Sequence, residues 1–334
     1  MSVLVVSDPR FGAHDAGAWH PERPARLTAA LAGVDDAHLG DDLIRCEPQL
    51  ASIEAITAVH DPGLVALLES IDEIGGGPID GDTVMNAASW EAARLAAGAG
   101  LQAVTSLDAG AADGAFCIVR PPGHHATPTR SMGFCLLNNV AVTARALADR
   151  GERVLIVDYD AHHGNGTQDA FYDDPRVLFV SFHQWPLYPG TGSLRERGRG
   201  DGLGTTVNIP MPAGATGEHY RRGWDDVVAG IVERFEPTWL LVSAGFDGHR
   251  DDPITELGLT SGDIADLTTA VLAVVPPGRR IVFLEGGYDL DALQLCTHAV
   301  VAALAGDIVH PERPSAGGPG AEAVTAAARS HGDT

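Results

Sequence analysis

The chain has 334 residues, 45% of them hydrophobic and 20% charged, which suffices for a large core and is typical of an ordinary soluble globular protein. It has 22 lysine and arginine residues and 45 aspartate and glutamate residues, which gives a net charge of −23. Because this charge would repel nucleic-acid phosphates, direct binding to nucleic acid is not expected. The same acidity either favours cationic substrates such as polyamines or serves only to keep the chain in solution.

Cysteine usage and the apolar runs indicate the compartment. The four cysteines, Cys46, Cys117, Cys135 and Cys296, are scattered without CxxC spacing, which argues against a disulfide framework or a thiolate zinc site. No stretch approaches 18 uninterrupted apolar residues, and the short apolar run within residues 1–10 lacks the basic leader of a signal peptide. A cytoplasmic enzyme without membrane association is therefore expected.

Short apolar runs rich in β-branched residues alternate with longer alanine- and leucine-rich segments along most of the chain. Residues 1–10 predict a first strand, and further strands are predicted at 115–119, 154–157, 177–181, 239–243 and 281–284. Helical segments are predicted at about 133–148, 218–234, 262–274 and 290–304. Continuous apolar strands between helices indicate an α/β protein whose parallel sheet is buried on both faces.

The pattern continues without a linker or a composition shift to about residue 305. We therefore expect one catalytic domain over residues 1–310, followed by a tail at 311–334 that begins turn-rich and ends in a short alanine-rich helix packed on the domain. The glycine-rich stretches at 75–77 and 195–204 are predicted to be surface loops.

Polar side chains of the kind that catalysis uses follow four of the predicted strands. His124 and His125 follow the strand at 115–119, the segment 158–166 (DYDAHHGNG) follows the next, Asp247 follows the strand at 239–243, and Tyr288 follows the last. Because ligands bind beyond the carboxyl ends of the strands in open α/β sheets, these side chains are expected to meet at one edge.

Asp158, Asp160 and His162 alternate, so in extended chain all three project to one side. Asp160 and His162 with Asp247 would form a three-ligand site that leaves one position open for water, as a catalytic zinc site requires. Asp158 would then orient a histidine rather than touch the metal. By itself, an Asp-x-Asp-x-His pattern is also compatible with a solvated loop whose aspartates cap backbone amides.

The other polar and aromatic candidates are individually ambiguous. The adjacent His124 and His125 suit general acid-base chemistry near neutral pH, although such pairs are often incidental. Tyr288 could stabilise an oxyanion from its Gly-Gly turn, or simply pack there. Phe134 and Tyr188 could wall an apolar slot, although lone aromatic residues are usually part of a core.

Taken together, the motifs resemble those of histone deacetylase-like amidohydrolases, in the same order, over residues 4–305. The matching strings are HPERP at 20–24, RPPGHHA at 120–126, GFCLLNN at 133–139, DYDAHHGNGTQ at 158–168, YPGTG at 188–192, SAGFD at 243–247 and LEGGY at 284–288. The resemblance implies the arginase/deacetylase fold, a three-layer α/β/α domain around a mainly parallel sheet.

The resemblance also implies a role for each matching residue. Asp160, His162 and Asp247 are similar to the ligands of one zinc ion, while His124, His125 and Tyr288 resemble the acid-base pair and the carbonyl-polarising tyrosine. Asp158 resembles the partner of His124, and Gly133, Phe134 and Tyr188 match the walls of the substrate tunnel. The resemblance also implies two potassium sites formed by backbone oxygens. One would use Asp158, Asp160, His162, Ser181 and Phe182, and the other Phe171, Asp174 and Val177.

Asn165 stands where some members of the family carry a second aspartate, and the GNGTQ string is similar to class II deacetylases and acetylpolyamine amidohydrolases. Since an amide supplies no negative charge, His125 is expected to hold its proton less tightly than His124. In the implied reaction Tyr288 polarises an amide carbonyl together with zinc, one histidine takes a proton from water, and a histidine protonates the leaving amine. Acetate and a free amine result.

Two other functions fit the same fold class. A binuclear manganese ureohydrolase would need DAHxD and SxDxD patterns, but Gly164 and Gly245 stand where those patterns carry aspartates. A non-catalytic binding protein would be expected to lack a ligand, a histidine or the tyrosine, and none is missing.

The substrate stays open among acetyl-lysine in proteins, acetylpolyamines and small xenobiotic amides. The apolar Ile254 weighs against an acidic polyamine gatekeeper, whereas the nearby Asp251, Asp252 and Glu256 keep polyamines possible. The chain could also form a homo-oligomer.

Overall fold

The protein is described here as a computed structural model, which covers residues 1–332. Its strands are β1 Val3–Val6, β2 Leu43–Cys46, β3 Gly76–Pro78, β4 Val84–Asn86, β5 Gly114–Cys117, β6 Val154–Asp158, β7 Val177–Gln184, β8 Thr206–Met211, β9 Trp239–Ala244 and β10 Arg280–Leu284. Eight of them form a parallel sheet in the order β2-β1-β5-β10-β9-β6-β7-β8, and β3 pairs with β4 in a small antiparallel sheet.

Helices flank the large sheet in two groups. The helices are α1 Ala25–Asp36, α2 Ile53–Thr57, α3 Pro62–Glu73, α4 Ser89–Asp108, α5 Asn139–Asp149, α6 Asn165–Phe171, α7 Gly217–Gly223, α8 Ala229–Phe235, α9 Ser261–Leu272, α10 Leu290–Ala305 and α11 Ala321–His331. Helices α1, α10 and α9 pack side by side, as do α4, α5 and α6, and both α10 and α4 contact β1 and β5. This is the expected three-layer α/β/α fold with a parallel central sheet.

The central strands are mainly apolar because both of their faces are covered. Every residue of β6, β7 and β9 is buried, whereas the edge strand β2 is partly exposed. A two-sided environment removes the alternation of apolar and polar residues that a half-exposed strand would show. The hydrophobic core therefore surrounds the central strands and holds their carboxyl ends in place.

Several predicted boundaries are wrong, each for a local reason. Helix α5 begins at Asn139 and not near residue 133, because the Asn138 side chain accepts a hydrogen bond from the amide of Ala141 and caps the helix. The glycines at 76 and 77 pair with β4 instead of forming a loop. Between α7 and α8, Trp224–Val228 forms a π-helical turn.

A second, smaller core lies beside the main one. It joins α2 and α3 to α4 and to the loop before α5, through residues such as Ile56, Leu68, Trp90 and Leu136. The segments at 79–83 and 131–138 pack on this core through Ile79, Leu136 and Leu137. Both segments reach the carboxyl edge of the large sheet.

The C-terminal segment contains a helix, α11, with Val324 and Ala327 buried. Ahead of that helix, the carboxylate of Glu312 accepts hydrogen bonds from the amide and hydroxyl of Ser261 and contacts His249 and Arg250. The tail is thus tied to the loop that follows β9, and the division at residue 310 stays a prediction. Across residues 1–332, no helix combines the length and apolarity that crossing a bilayer requires.

Candidate active site

The carboxyl ends of four strands place the predicted polar residues in one cluster. Strands β5, β10, β9 and β6 are consecutive in the sheet. The loops that follow them carry the histidine pair, Tyr288, Asp247 and the 158–162 segment respectively. All of these side chains are buried, from 0% exposure for Asp158 and Asp247 to 8% for His162 and Tyr288.

Asp160, His162 and Asp247 form a compact group in which one donor atom of each lies within 4.8 Å of the others. His162 Nδ1 lies 2.7 Å from Asp247 Oδ2 and 3.2 Å from Asp160 Oδ1. Backbone amides orient the carboxylates, because Ala161 donates to Asp247 Oδ1 and Gly286 donates to Asp160 Oδ2, each at 2.8 Å. The structure therefore brings the three predicted metal ligands together.

The group fits a divalent cation on chemical grounds. Two buried carboxylates face each other. Burial first and the charge of Asp160 second raise the pKa of Asp247 to about 7. Burial opposes protonation of His162, but Asp247 and Asp160 outweigh it and raise its pKa to about 10. A cation would balance this negative charge, and two carboxylates with one imidazole are a ligand set that zinc accepts.

Glycines leave the space that these carboxylates occupy. A Cβ atom at Gly286 would lie 2.6 Å from Asp160 Oδ2 and 2.7 Å from Asp247 Oδ2, and one at Gly245 would lie 2.0 Å from Asp160 Oδ2. A side chain at either position would displace a ligand. The aspartate that a ureohydrolase would carry at position 245 is thus sterically incompatible with this site.

The two histidines have different partners. His124 donates from Nδ1 to Asp158 Oδ2 at 2.9 Å, and His125 donates from Nδ1 to the amide oxygen of Asn165 at 2.8 Å. Each ring therefore turns its Nε2 away from these partners, and the ring centroids are 4.1 Å apart. In neutral His125, Nε2 carries the free lone pair, as a general base requires.

These partners give the histidines opposite affinities for protons. Burial opposes the protonation of His124, but Asp158 and Asp160 outweigh burial and hold its pKa well above the ordinary value. Burial, with His124 and His162 nearby, holds the pKa of His125 well below its ordinary value. These shifts favour the protonated form of His124 and the neutral form of His125.

Replacing Asn165 by aspartate tests this difference. The new carboxylate would lie beside His125 Nδ1 and favour the imidazolium form, so the pKa of His125 should rise. A base with a higher pKa is protonated over more of the acid range. The acid limb of the kcat/KM profile should therefore move to higher pH, by about one unit or more. An unchanged acid limb would show that His125 is not the group that must be neutral.

Tyr288 stands above a buried ion cluster. Its ring lies 4.9 Å from the Arg26 guanidinium, which also donates to the carbonyls of Glu285 and Gly287. Glu22 holds Arg26 and makes a two-point contact with Arg120. The strings at 20–24, 120–126 and 284–288 thus meet in space. Burial raises the pKa of Tyr288 well above its ordinary value, so its phenol keeps its proton.

Glu285 binds the backbone of the loop that carries His124 and His125, a contact that was not predicted from the sequence. It is fully buried, and its Oε2 accepts hydrogen bonds from the amides of Gly123 at 2.7 Å and His124 at 3.1 Å. Its other oxygen accepts from Ser243. The LEGGY string contains this residue, but nothing in its local pattern indicates a partner in the loop that follows β5.

A cavity of about 200 Å³ opens onto this cluster. It is lined by Asp82, His125, Gly133, Phe134, His162, Tyr188, Ile254 and Tyr288. Gly133, Phe134 and Tyr188, which match the tunnel walls of the family, are among them, as is Ile254, which was also predicted to lie at the substrate site. A more open cavity of about 760 Å³ beside β1 and β2 is larger but contains none of the candidate catalytic residues.

The Gly133–Phe134 pair has an unusual backbone. Gly133 has φ +57°, and a Cβ atom there would lie 2.5 Å from the His125 ring. Phe134 itself has φ +68°, a left-handed conformation that costs a residue with a side chain about 1–2 kcal/mol. Its ring meets the rings of His20 and Tyr288 edge-on, with centroids 4.5 and 5.8 Å away. The positive-φ conformation thus places the Phe134 ring in the wall of the pocket.

Two aspartates have different roles at the substrate site from those that the sequence suggested. Asp82, which sequence reasoning missed because its acidic turn has no local signature, contributes a half-buried carboxylate to the pocket. Asp252, considered above as a possible polyamine contact, is 6% exposed, and its carboxylate accepts from the amides of Ile254 and Tyr288. Asp252 is therefore occupied with holding the pocket, while Asp251 and Glu256 are exposed outside its lining.

The residues of the two potassium predictions lie in two places. Asp158, Asp160 and His162 lie at and just after the end of β6, next to Ser181 and Phe182 within β7, and Asp158 and Ser181 are register partners. Phe171, Asp174 and Val177 lie between α6 and β7, where the carbonyls of Phe171 and Asp174 already accept backbone hydrogen bonds. Potassium binding stays a prediction.

Comparison with known proteins agrees with this geometry. The histone deacetylase domain matches residues 20–304. A probable deacetylase of Archaeoglobus fulgidus is 40% identical over 313 residues, covering 92% of this chain and 87% of that protein. Histone deacetylase clr3 of Schizosaccharomyces pombe is 37% identical, covering 86% of this chain and 45% of its own length.

A solved structure shares the whole architecture. The crystal structure of the HDA15 HD domain superposes with a TM-score of 0.90 at 33% identity, covering 99% of this chain and 93% of that one. Together with the domain match, this likeness extends from the sheet to the loops that carry the polar cluster. The chain belongs to the histone deacetylase family and is a hydrolase that acts on amide bonds.

Proposed function

We propose that this enzyme is a zinc-dependent deacetylase that removes an acetyl or similar small acyl group from the side chain of lysine or a related amine. The observation that carries the proposal is the buried Asp160, His162 and Asp247 group, whose His162 lines a pocket together with His125 and Tyr288. Zinc bound to this group would act as a Lewis acid toward the amide carbonyl and would acidify water.

The side chains divide the remaining work. His125, neutral and with Nε2 free, takes the proton of the attacking water. Tyr288 donates its phenolic hydrogen to the amide oxygen as negative charge develops there. His124, kept protonated by Asp158, supplies the proton that the leaving amine needs. Acetate and a free amine leave; the enzyme returns to its starting state when His125 releases the proton it took from water and His124 regains the proton it gave to the amine.

The pocket favours a straight alkylamine over a polyamine. Phe134, Tyr188 and Ile254 give it apolar walls, and Asp82 is the carboxylate among the non-metal residues that line it. A lysine side chain presents only methylene groups between its backbone and its amide, so it suits such walls. Asp82 would then accept hydrogen bonds from the substrate beyond the alkyl chain.

A cytoplasmic location and an acidic surface without nucleic-acid partners stay predictions.

Metal analysis and a substrate panel test the proposal. The purified protein is expected to hold one zinc per chain, to lose activity to a chelator and to regain it with Zn²⁺, with Fe²⁺ added in parallel. An acetyl-lysine peptide should exceed acetylputrescine by about tenfold or more in kcat/KM, because its peptide backbone would donate hydrogen bonds to Asp82 and contact the pocket entrance beyond the alkyl chain, where acetylputrescine has only a terminal ammonium group. Activity that survives complete metal removal would overturn the proposal. A preference for acetylputrescine would instead assign a polyamine substrate.

A further inference from the structure

Thr83 lies at the point where three segments of the pocket entrance meet. Its side chain is 1% exposed, and its hydroxyl donates to Asp82 Oδ1 at 3.0 Å while accepting from the amide of Phe134 at 3.1 Å. One hydroxyl thus connects a carboxylate of the pocket lining with the backbone of the aromatic wall, 51 residues away in the chain.

The Phe134 end of this connection is under backbone strain. A residue with a side chain keeps φ near +68° only where its surroundings hold it there. Met132 and Cys135 pair through both of their backbone hydrogen bonds, at 3.1 and 3.0 Å, and so close the turn on either side. Two backbone donors of the turn remain: Thr83 accepts from the Phe134 amide, and the Asp82 carboxylate accepts from the Gly133 amide.

The Asp82 end is fixed as well. Asp80 Oδ1 accepts from the amide of Thr83 at 2.8 Å, and the carbonyl of Thr83 accepts from the amide of Ile79 at the same distance. His20 completes a closed circuit, since its Nε2 lies 3.0 Å from the carbonyl oxygen of Asp82 and its ring packs edge-on against Phe134. Thr83 is therefore held by backbone hydrogen bonds and contacts two groups of the pocket, the Phe134 amide and the Asp82 carboxylate.

We propose that Thr83 is a positioning residue of the acyl pocket, whose hydroxyl sets both the place of the Phe134 ring and the direction of the Asp82 carboxylate. The proposal extends the proposed function, which supplies the reaction used to test it. Thr83 is absent from the pocket lining and from the contacts of the histidine pair. Its loss should therefore weaken the binding of the substrate and leave the chemical step largely unchanged.

Thr83→Val and Thr83→Ser separate the hydroxyl from the rest of the side chain. Valine keeps the shape but leaves the buried Phe134 amide without its acceptor, so KM for an acetyl-lysine peptide should rise about tenfold while kcat stays within about twofold. Serine keeps the hydroxyl and should restore KM to near the wild-type value. In an Asp82→Ala background the valine substitution should raise KM by less, because one of its two partners is already gone.

Crystal structures of both variants give a second readout that needs no turnover. Phe134 should leave the left-handed region in the valine variant and keep it in the serine variant. Should valine prevent folding, Thr83→Ala removes the same hydroxyl. The inference is overturned if Phe134 keeps its conformation without the hydroxyl, if serine is as damaging as valine, or if kcat falls in place of a rise in KM. A wild-type enzyme that hydrolyses no acylated amine overturns only the proposed function.

Discussion

Replacing Asp247 by asparagine is expected to abolish metal binding and amide hydrolysis together. The amide oxygen of asparagine would keep the hydrogen bond from Ala161, but an NH₂ group would face His162 Nδ1 where Oδ2 stands now. An NH₂ group cannot ligate a cation, and one of the two balancing charges is lost. Because the metal contributes several kcal/mol to the transition state, kcat/KM should fall about a thousandfold or more.

The measurement pairs zinc content per chain with kcat/KM on an acetyl-lysine peptide, and circular dichroism checks that the variant is folded. Asp251→Asn is the matched control, since Asp251 lies four residues away in the same loop with its side chain 64% exposed. This control should keep both zinc and activity. An Asp247→Asn enzyme with one zinc per chain and activity within tenfold of wild type would contradict the assignment of the ligands.

Replacing Tyr288 by phenylalanine is expected to lower kcat by about 10²- to 10³-fold and to change KM little. The phenol retains its proton because burial raises its pKa, so in the wild-type enzyme it can donate as charge develops on the amide oxygen. The ring, and with it the contacts to Arg26 and Phe134, stays in place. The lost interaction therefore belongs to the transition state more than to substrate binding.

Tyr159→Phe is the control for this substitution. Tyr159 is also buried and stands between two site aspartates in sequence, but its hydroxyl contacts Thr268 on α9. Its loss should cost about 1 kcal/mol of unfolding free energy and little activity. If Tyr288→Phe instead raised KM and left kcat unchanged, Tyr288 would be a substrate-binding residue and not an oxyanion donor.

The site could be predicted as far as it depends on strand ends. Fully buried parallel strands have a strong local signature, and residues that follow them must meet at one edge of the sheet, as Asp160 and Asp247 do. The position of each residue relative to its strand was enough to predict that these residues lie together. No loop conformation had to be known.

The entrance of the pocket could not be predicted in the same way. Asp82 and Phe134 belong to loops that meet through contacts between distant parts of the chain, and no periodic pattern records such contacts. The predicted helix start near residue 133 failed for the same reason. The segment before Asn139 has helix-compatible residues, but Gly133 and Phe134 adopt positive φ to reach the pocket. Tertiary packing there overrides local preference.

The position of β1 in the sheet bears on where this enzyme can be shortened. Although the match to the family begins at residue 20, β1 comes from residues 3–6 and lies between β2 and β5. A fragment that starts at the family boundary would lack an interior strand, leaving β5 as a raw apolar edge and β2 without a neighbour. A self-contained unit must therefore include β1, which lies ahead of every residue that carries the chemistry.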